Sequence, residues 1–199
     1  FFAISFAIVC GVFYLPYYFG DKPSPLFPYI MPFESGSTRY IQYFLVLGQF
    51  LIVILPFLAI LAGSFVWMKK PCARLYFLAT LMVLIPFVIW AFSSIILSGL
   101  TSGFREGWYE IGSRFLKLLP LHCMLAVILV IGYQIANGTK AKERRPLMFG
   151  LSIIFIGLFA TLVPELFRIV DVFDNRMNTV FKFYYVSWIM LALGSSFAI

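Results

Sequence analysis

Charge is what this chain has least of. Asp, Glu, Lys and Arg together make up 12% of its 199 residues, and only eight of those are acids. Soluble domains carry about 25%. With 62% hydrophobic residues, a mean hydropathy of +0.98 and 24 Phe, the apolar surface exceeds what one soluble core of this size can enclose. Histidine occurs once and cysteine three times, at Cys10, Cys72 and Cys123, with no CxxC pair. The cysteines read as small hydrophobes, and His122, directly after Leu121 and close to Pro120, as a packing or membrane-interface residue without the second ligand a metal site needs. Strict two-residue alternation is also missing, which argues against barrel strands. Neither an initiating Met nor a charged leader precedes Phe1, so the chain is expected to be part of a longer protein, with a true span first rather than a signal peptide.

What is present is a series of apolar runs near the ~20 residues that cross a bilayer as helix. The expected fold is an all-α, polytopic transmembrane helical bundle forming one domain over 1–199, because lipid-exposed backbone must bond within its own segment. About six spans are expected, near 1–19, 40–68, 75–98, 116–136, 147–163 and 179–199. Mid-span Pro56, Pro86 and Gly157 mark kinks and close contacts.

The connections alternate in charge. Residues 69–74 (KKPCAR) and 137–146, with Lys140, Lys142, Arg144 and Arg145 against Glu143, are basic, and the positive-inside rule makes them cytoplasmic. Connections 20–39, 99–115 and 164–178 then face outward, and they hold every acid except Glu143. The formal charge of +7 is thereby explained by the cytoplasmic face, where it orients the chain and meets anionic membrane lipid; no nucleic-acid partner is required.

One outer stretch stands apart. From Val170 to Trp188 the chain reads VDVFDNRMNTVFKFYYVSW, and Glu165 and Arg168 lie just before it. On a helix, Asp174, Asn178 and Lys182 would share one face, with Asp171 a turn earlier. A Lys flanked by Val180-Phe181 and Phe183-Tyr184-Tyr185 is a costly charge at or below the interface, hence a functional candidate. Snorkelling to the headgroups explains Lys182 equally well, and Tyr184, Tyr185 and Trp188 then form an aromatic belt. The cluster of paired signs suggests a preorganised polar pocket; a structural ion-pair network is the competing reading.

The run RMNTVFKFYY (Arg176 to Tyr185), preceded by Glu165, Arg168 and Asp171 and followed by Trp188, resembles the hallmark of the uncharacterised "YYY" multi-pass membrane proteins of archaea and bacteria. FYLPYY (Phe13 to Tyr18) and YFLVLGQFL (Tyr43 to Leu51) resemble a second hallmark. Where the family tends to have Gln before the Trp, this chain has Val186-Ser187. The family looks like a distant relative of GT-C glycosyltransferases, which take sugar from a polyprenyl-phosphate carrier outside the cytoplasm. The resemblance implies a GT-C-like fold, a lipid-linked sugar as partner, and a C-terminal fragment lacking the N-terminal part of the same protein.

Under that reading, Arg176 and Lys182 suit a lipid phosphate, Arg by its fork and Lys as a point charge. Arg168, Asn178 and Tyr185 join them as substrate-binding candidates. Glu165, Asp171 and Asp174 are the candidate catalytic carboxylates, able to orient hydroxyls, act as base or hold a divalent metal ion. A transporter or flippase with a charged gate and a non-catalytic membrane scaffold are the alternatives.

Overall fold

The computed structural model of the chain describes residues 29–32, 38–68, 73–101, 104–138, 143–170 and 176–199. Five helices dominate these residues: α1 (Tyr40–Met68), α2 (Ala73–Thr101), α3 (Phe104–Ala136), α4 (Arg145–Leu166) and α5 (Met177–Ala198). Two four-residue strands, β1 (Tyr29–Pro32) and β2 (Phe167–Val170), pair antiparallel with Met31 opposite Arg168. All five helices are long and apolar enough to cross a membrane. Even the shortest, with 22 residues, extends about 33 Å at 1.5 Å per residue, against a hydrocarbon core of about 30 Å. The expected span at 1–19 lies outside the described residues, as do the 69–72 and 139–142 parts of the basic connections.

Two expected boundaries differ. The helix of the fourth span begins at Phe104, with its candidate membrane-crossing part from Trp108 rather than near 116, so α3 takes in most of the connection expected at 99–115. Glu110 and Arg114 lie one turn apart on it and pair with each other, so charge continues the helix beyond its apolar run. The fifth span continues through Pro164 to Leu166, and the connection after it starts as β2.

The interior is a seam of apolar side chains. Leu47 and Ile54 of α1, Trp90 of α2, Leu125 of α3, Ile154, Leu158 and Leu162 of α4 and Leu191 of α5 are fully enclosed. The buried positions of α5 include Tyr184, Ser187, Leu191 and Ser195, at spacings of three and four, as one face of a helix requires. That face lies against α4, and glycine allows the approach: a Cβ on Gly194 would sit 2.5 Å from Ile154 Cγ1, and one on Gly157 2.9 Å from Leu191. Ile41, Phe77, Phe92, Phe149 and Phe181 are among the large apolar residues left outside, as lipid-facing positions should be.

Three hydroxyls within the spans bond back to their own helix, Ser64 to the Ile60 carbonyl, Ser93 to Ile89 and Ser152 to Met148, each at 2.8 Å. No water is needed to satisfy them. His122 is buried, its Nδ1 2.8 Å from the Leu118 carbonyl and its ring edge-on to Phe87, as a packing histidine would be. Cys123 is an exposed free thiol, while Cys10 and Cys72 lie outside the described residues.

Candidate functional site

The start of α1, the end of α4, the start of α5 and the middle of the first half of α3 meet at one end of the bundle, and their polar groups converge on Glu165. This residue is the penultimate one of α4 and is 2% exposed, so its carboxylate needs internal partners. It has them. The Thr38 backbone N–H donates to Oε2 at 3.0 Å, and the Thr38 hydroxyl donates to Oε1. The Arg176 guanidinium, from the residue before α5, pairs with the same oxygen. The Tyr184 hydroxyl donates to it at 3.3 Å. Arg176 also donates to the Thr38 hydroxyl oxygen at 2.8 Å, so that hydroxyl gives its proton to the carboxylate while accepting from the cation.

A second layer holds the backbone of the same residue. Glu165 lies in the last turn of α4, where carbonyls have no helical partner. The Arg114 guanidinium donates to the Glu165 carbonyl through Nη1 at 2.9 Å and to Glu110 Oε1 through Nη2 at 2.6 Å. It also lies 4.6 Å from the ring centroid of the fully buried Trp90. A cation at a helix C-terminus is favoured by the helix dipole, and an aromatic face adds to that when desolvated. Arg114, only 2% exposed, thereby joins α2, α3 and α4.

Beneath the carboxylate, Thr161 Oγ1 gives its proton to the Leu158 carbonyl at 2.7 Å, so the Tyr43 hydroxyl, 2.5 Å away, is the donor to it. The Tyr43 ring meets Tyr184 edge-on with centroids 6.2 Å apart. Above the carboxylate, the Ile169 N–H of β2 donates to Thr179 Oγ1 of α5 at 2.9 Å, which fastens the small sheet to the helix. The Tyr40 hydroxyl donates to the Lys117 carbonyl at 3.0 Å and ties α1 to α3.

Of the residues singled out in the sequence, Glu165 and Arg176 are in direct contact. Arg168 lies half-buried on β2, and Asn178 half-buried in the first turn of α5. Lys182 is exposed on α5, as is Tyr185, whose ring stacks on Phe181 with centroids 6.5 Å apart. Asp171 and Asp174 lie outside the described residues. Tyr184 departs from the expected aromatic belt, because it faces inward while Tyr185 and Trp188 remain outside. Sequence reasoning passed over Thr38, Tyr43, Thr161 and Arg114. For Arg114 a signal existed in its i, i+4 spacing from Glu110.

Chemically, the arrangement holds a carboxylate immobile. Its oxygens are occupied by N–H and O–H donors and face a cation, which suits neither proton abstraction nor metal ligation. Among the described residues, no three His, Cys, Asp or Glu side chains come together as a metal site.

The model of the uncharacterised membrane protein family DUF2298 matches residues 1–191. The chain belongs to this family. That match runs from the first residue into α5 and so includes every residue of the polar cluster. No curated protein and no solved structure matches the chain.

Proposed function

We propose that the chain is part of an integral membrane glycosyltransferase that uses a polyprenyl-phosphate-linked sugar at the polar end of the bundle, on the extracytoplasmic side. The observation that carries this reading is the buried Glu165 cluster, which fixes the entrance of α5 relative to α1, α3 and α4. Preorganised polar ends are what transfer chemistry requires, since a group misplaced by an ångström loses rate. The resemblance of Arg176 to Tyr185 to the "YYY" hallmark, and the distant likeness of that family to GT-C enzymes, supply the reaction class.

In this reading the roles divide. Glu165 and Arg176 hold geometry. Lys182, exposed about one and a half helical turns into α5, meets the lipid phosphate together with Arg168, while the stacked Phe181 and Tyr185 rings give the prenyl chain or the sugar an apolar ledge. Asp171 and Asp174 are the carboxylates left for base or metal chemistry.

The test is native mass spectrometry of the full-length protein in mild detergent, comparing wild type with Lys182→Ala and Arg168→Ala. A co-purifying polyprenyl-phosphate sugar lost from both folded variants supports the reading. Its absence from folded wild type, even after the lipid is added back, counts against it.

A specific observation favours a second reading, that of a non-catalytic membrane scaffold: the Glu165 carboxylate accepts from Thr38, Arg176 and Tyr184 and so ties the starts of α1 and α5 to the end of α4. On that account, Lys182→Ala changes assembly or stability and leaves small-molecule binding untouched.

A further inference from the structure

At the opposite end of the bundle, α3 and α4 diverge to leave a groove of about 220 Å³. Ile128, Gly132 and Tyr133 of α3 form one wall, and Met148, Ser152 and Phe155 of α4 the other. The lining is apolar in effect, since the Ser152 hydroxyl already donates to the Met148 carbonyl. A cation stands one helical turn beyond its end. Arg145, exposed at the first position of α4, lies three residues before Met148 and seven before Ser152, hence on the same helix face as the groove wall. The connection it closes carries Lys140, Lys142 and Arg144 as well, against a single acid, Glu143.

Dimensions identify the occupant. The α4 wall runs from Met148 to Ile156, eight residues or roughly 12 Å of helix, and Arg145 stands one turn before it. One leaflet of a hydrocarbon core of about 30 Å is about 15 Å deep. An apolar groove roughly 12 Å long, with a cation one helical turn beyond its end, fits within that depth and has the polarity of a phospholipid: phosphate at the rim, acyl chain inside.

We propose that the α3–α4 groove is a binding site for one anionic phospholipid, with its phosphate on Arg145 and one acyl chain between Gly132 and Ser152. The proposal is independent of the transferase reading, which concerns the other end of the bundle. Gly132 offers a clean probe, because a Cβ there meets nothing within 4 Å. Gly132→Leu therefore occupies the groove without forcing the helices apart. Gly63 of α1 is equally open and distant from the groove in the chain, so Gly63→Leu is the matched control.

The experiment reconstitutes the full-length protein into vesicles holding equal amounts of phosphatidylglycerol and phosphatidylcholine with identical acyl chains, then counts retained lipid by native mass spectrometry. Wild type and Gly63→Leu are expected to retain one phosphatidylglycerol in preference to phosphatidylcholine. Gly132→Leu loses both lipids. Arg145→Gln keeps a lipid but loses about fivefold of the headgroup preference, the effect of one basic side chain beside an anionic surface. No retained lipid, equal retention of the two lipids by wild type, or retention unchanged in folded Gly132→Leu would overturn the site.

Discussion

Removing the Arg176 guanidinium leaves the Glu165 carboxylate enclosed without its cation, and the consequence can be worked from the geometry. Breaking a buried pair by truncating one partner costs about 3–5 kcal/mol. Here the Glu165 side chain is 3% exposed but that of Arg176 is 14%, so water reaches one member and the lower end, about 3 kcal/mol, applies to Arg176→Met. Glu165→Leu costs a similar amount, because it strands the guanidinium and also the Thr38 N–H and Tyr184 hydroxyl. The double variant has no stranded charge. It is expected to cost about 3 kcal/mol in total, well below the sum of the singles, giving a coupling energy of about 3 kcal/mol, the upper end for contacting residues. Denaturant unfolding of the full-length protein in mixed micelles, followed by circular dichroism, measures all three. Additive singles, or an Arg176→Met variant within about 0.5 kcal/mol of wild type, would refute the argument that the pair is buried and mutually dependent.

Other consequences follow from the same contacts. Arg114→Lys keeps the charge but not the fork that reaches both the Glu165 carbonyl and Glu110, and is expected to lose about 1–2 kcal/mol in the same unfolding assay. Tyr184→Phe deletes a hydroxyl bonded to the carboxylate and is expected to lose about 1 kcal/mol, whereas Tyr185→Phe, at an exposed ring, stays within about 0.5 kcal/mol of wild type. Gly194→Leu drives a side chain into Ile154 and is expected to lower the thermal midpoint in detergent by an amount equivalent to at least about 1–3 kcal/mol. Thr179→Val removes the acceptor for the Ile169 N–H, and amide exchange at Ile169 is expected to quicken about fivefold or more, as loss of about 1 kcal/mol implies.

The parts of the fold that could be read in advance are those encoded locally. Hydropathy runs located each described helix, because a bilayer imposes a length on any segment that crosses it. The grouping of acids with Arg176 points to either a polar pocket or a structural ion-pair network, and Glu165 pairs with Arg176 eleven residues later. Thr38 was out of reach, since its contact with Glu165 joins residues 127 apart and is created by the packing of α1 beside α4 and α5. Pairing of YIMP with FRIV was equally hidden, because four-residue strands carry too little pattern to register. Tyr184 and Tyr185 look alike in sequence, and only the rotation of α5 against α4 decides which of them points inward. The hydropathy run near 116 marks where α3 turns apolar and does not mark where it starts, because Arg114 and Glu110 satisfy one another inside the same helix.

The division of roles at the polar end can be tested most directly by measuring the affinity of the full-length protein for a polyprenyl monophosphate in nanodiscs, with wild type and Lys182→Gln compared at equal stability. The account predicts saturable binding by wild type and a loss of about tenfold in the variant, the effect of one charge-assisted contact of about 1.4 kcal/mol. Absence of saturable binding, or the same affinity in both proteins, would contradict it.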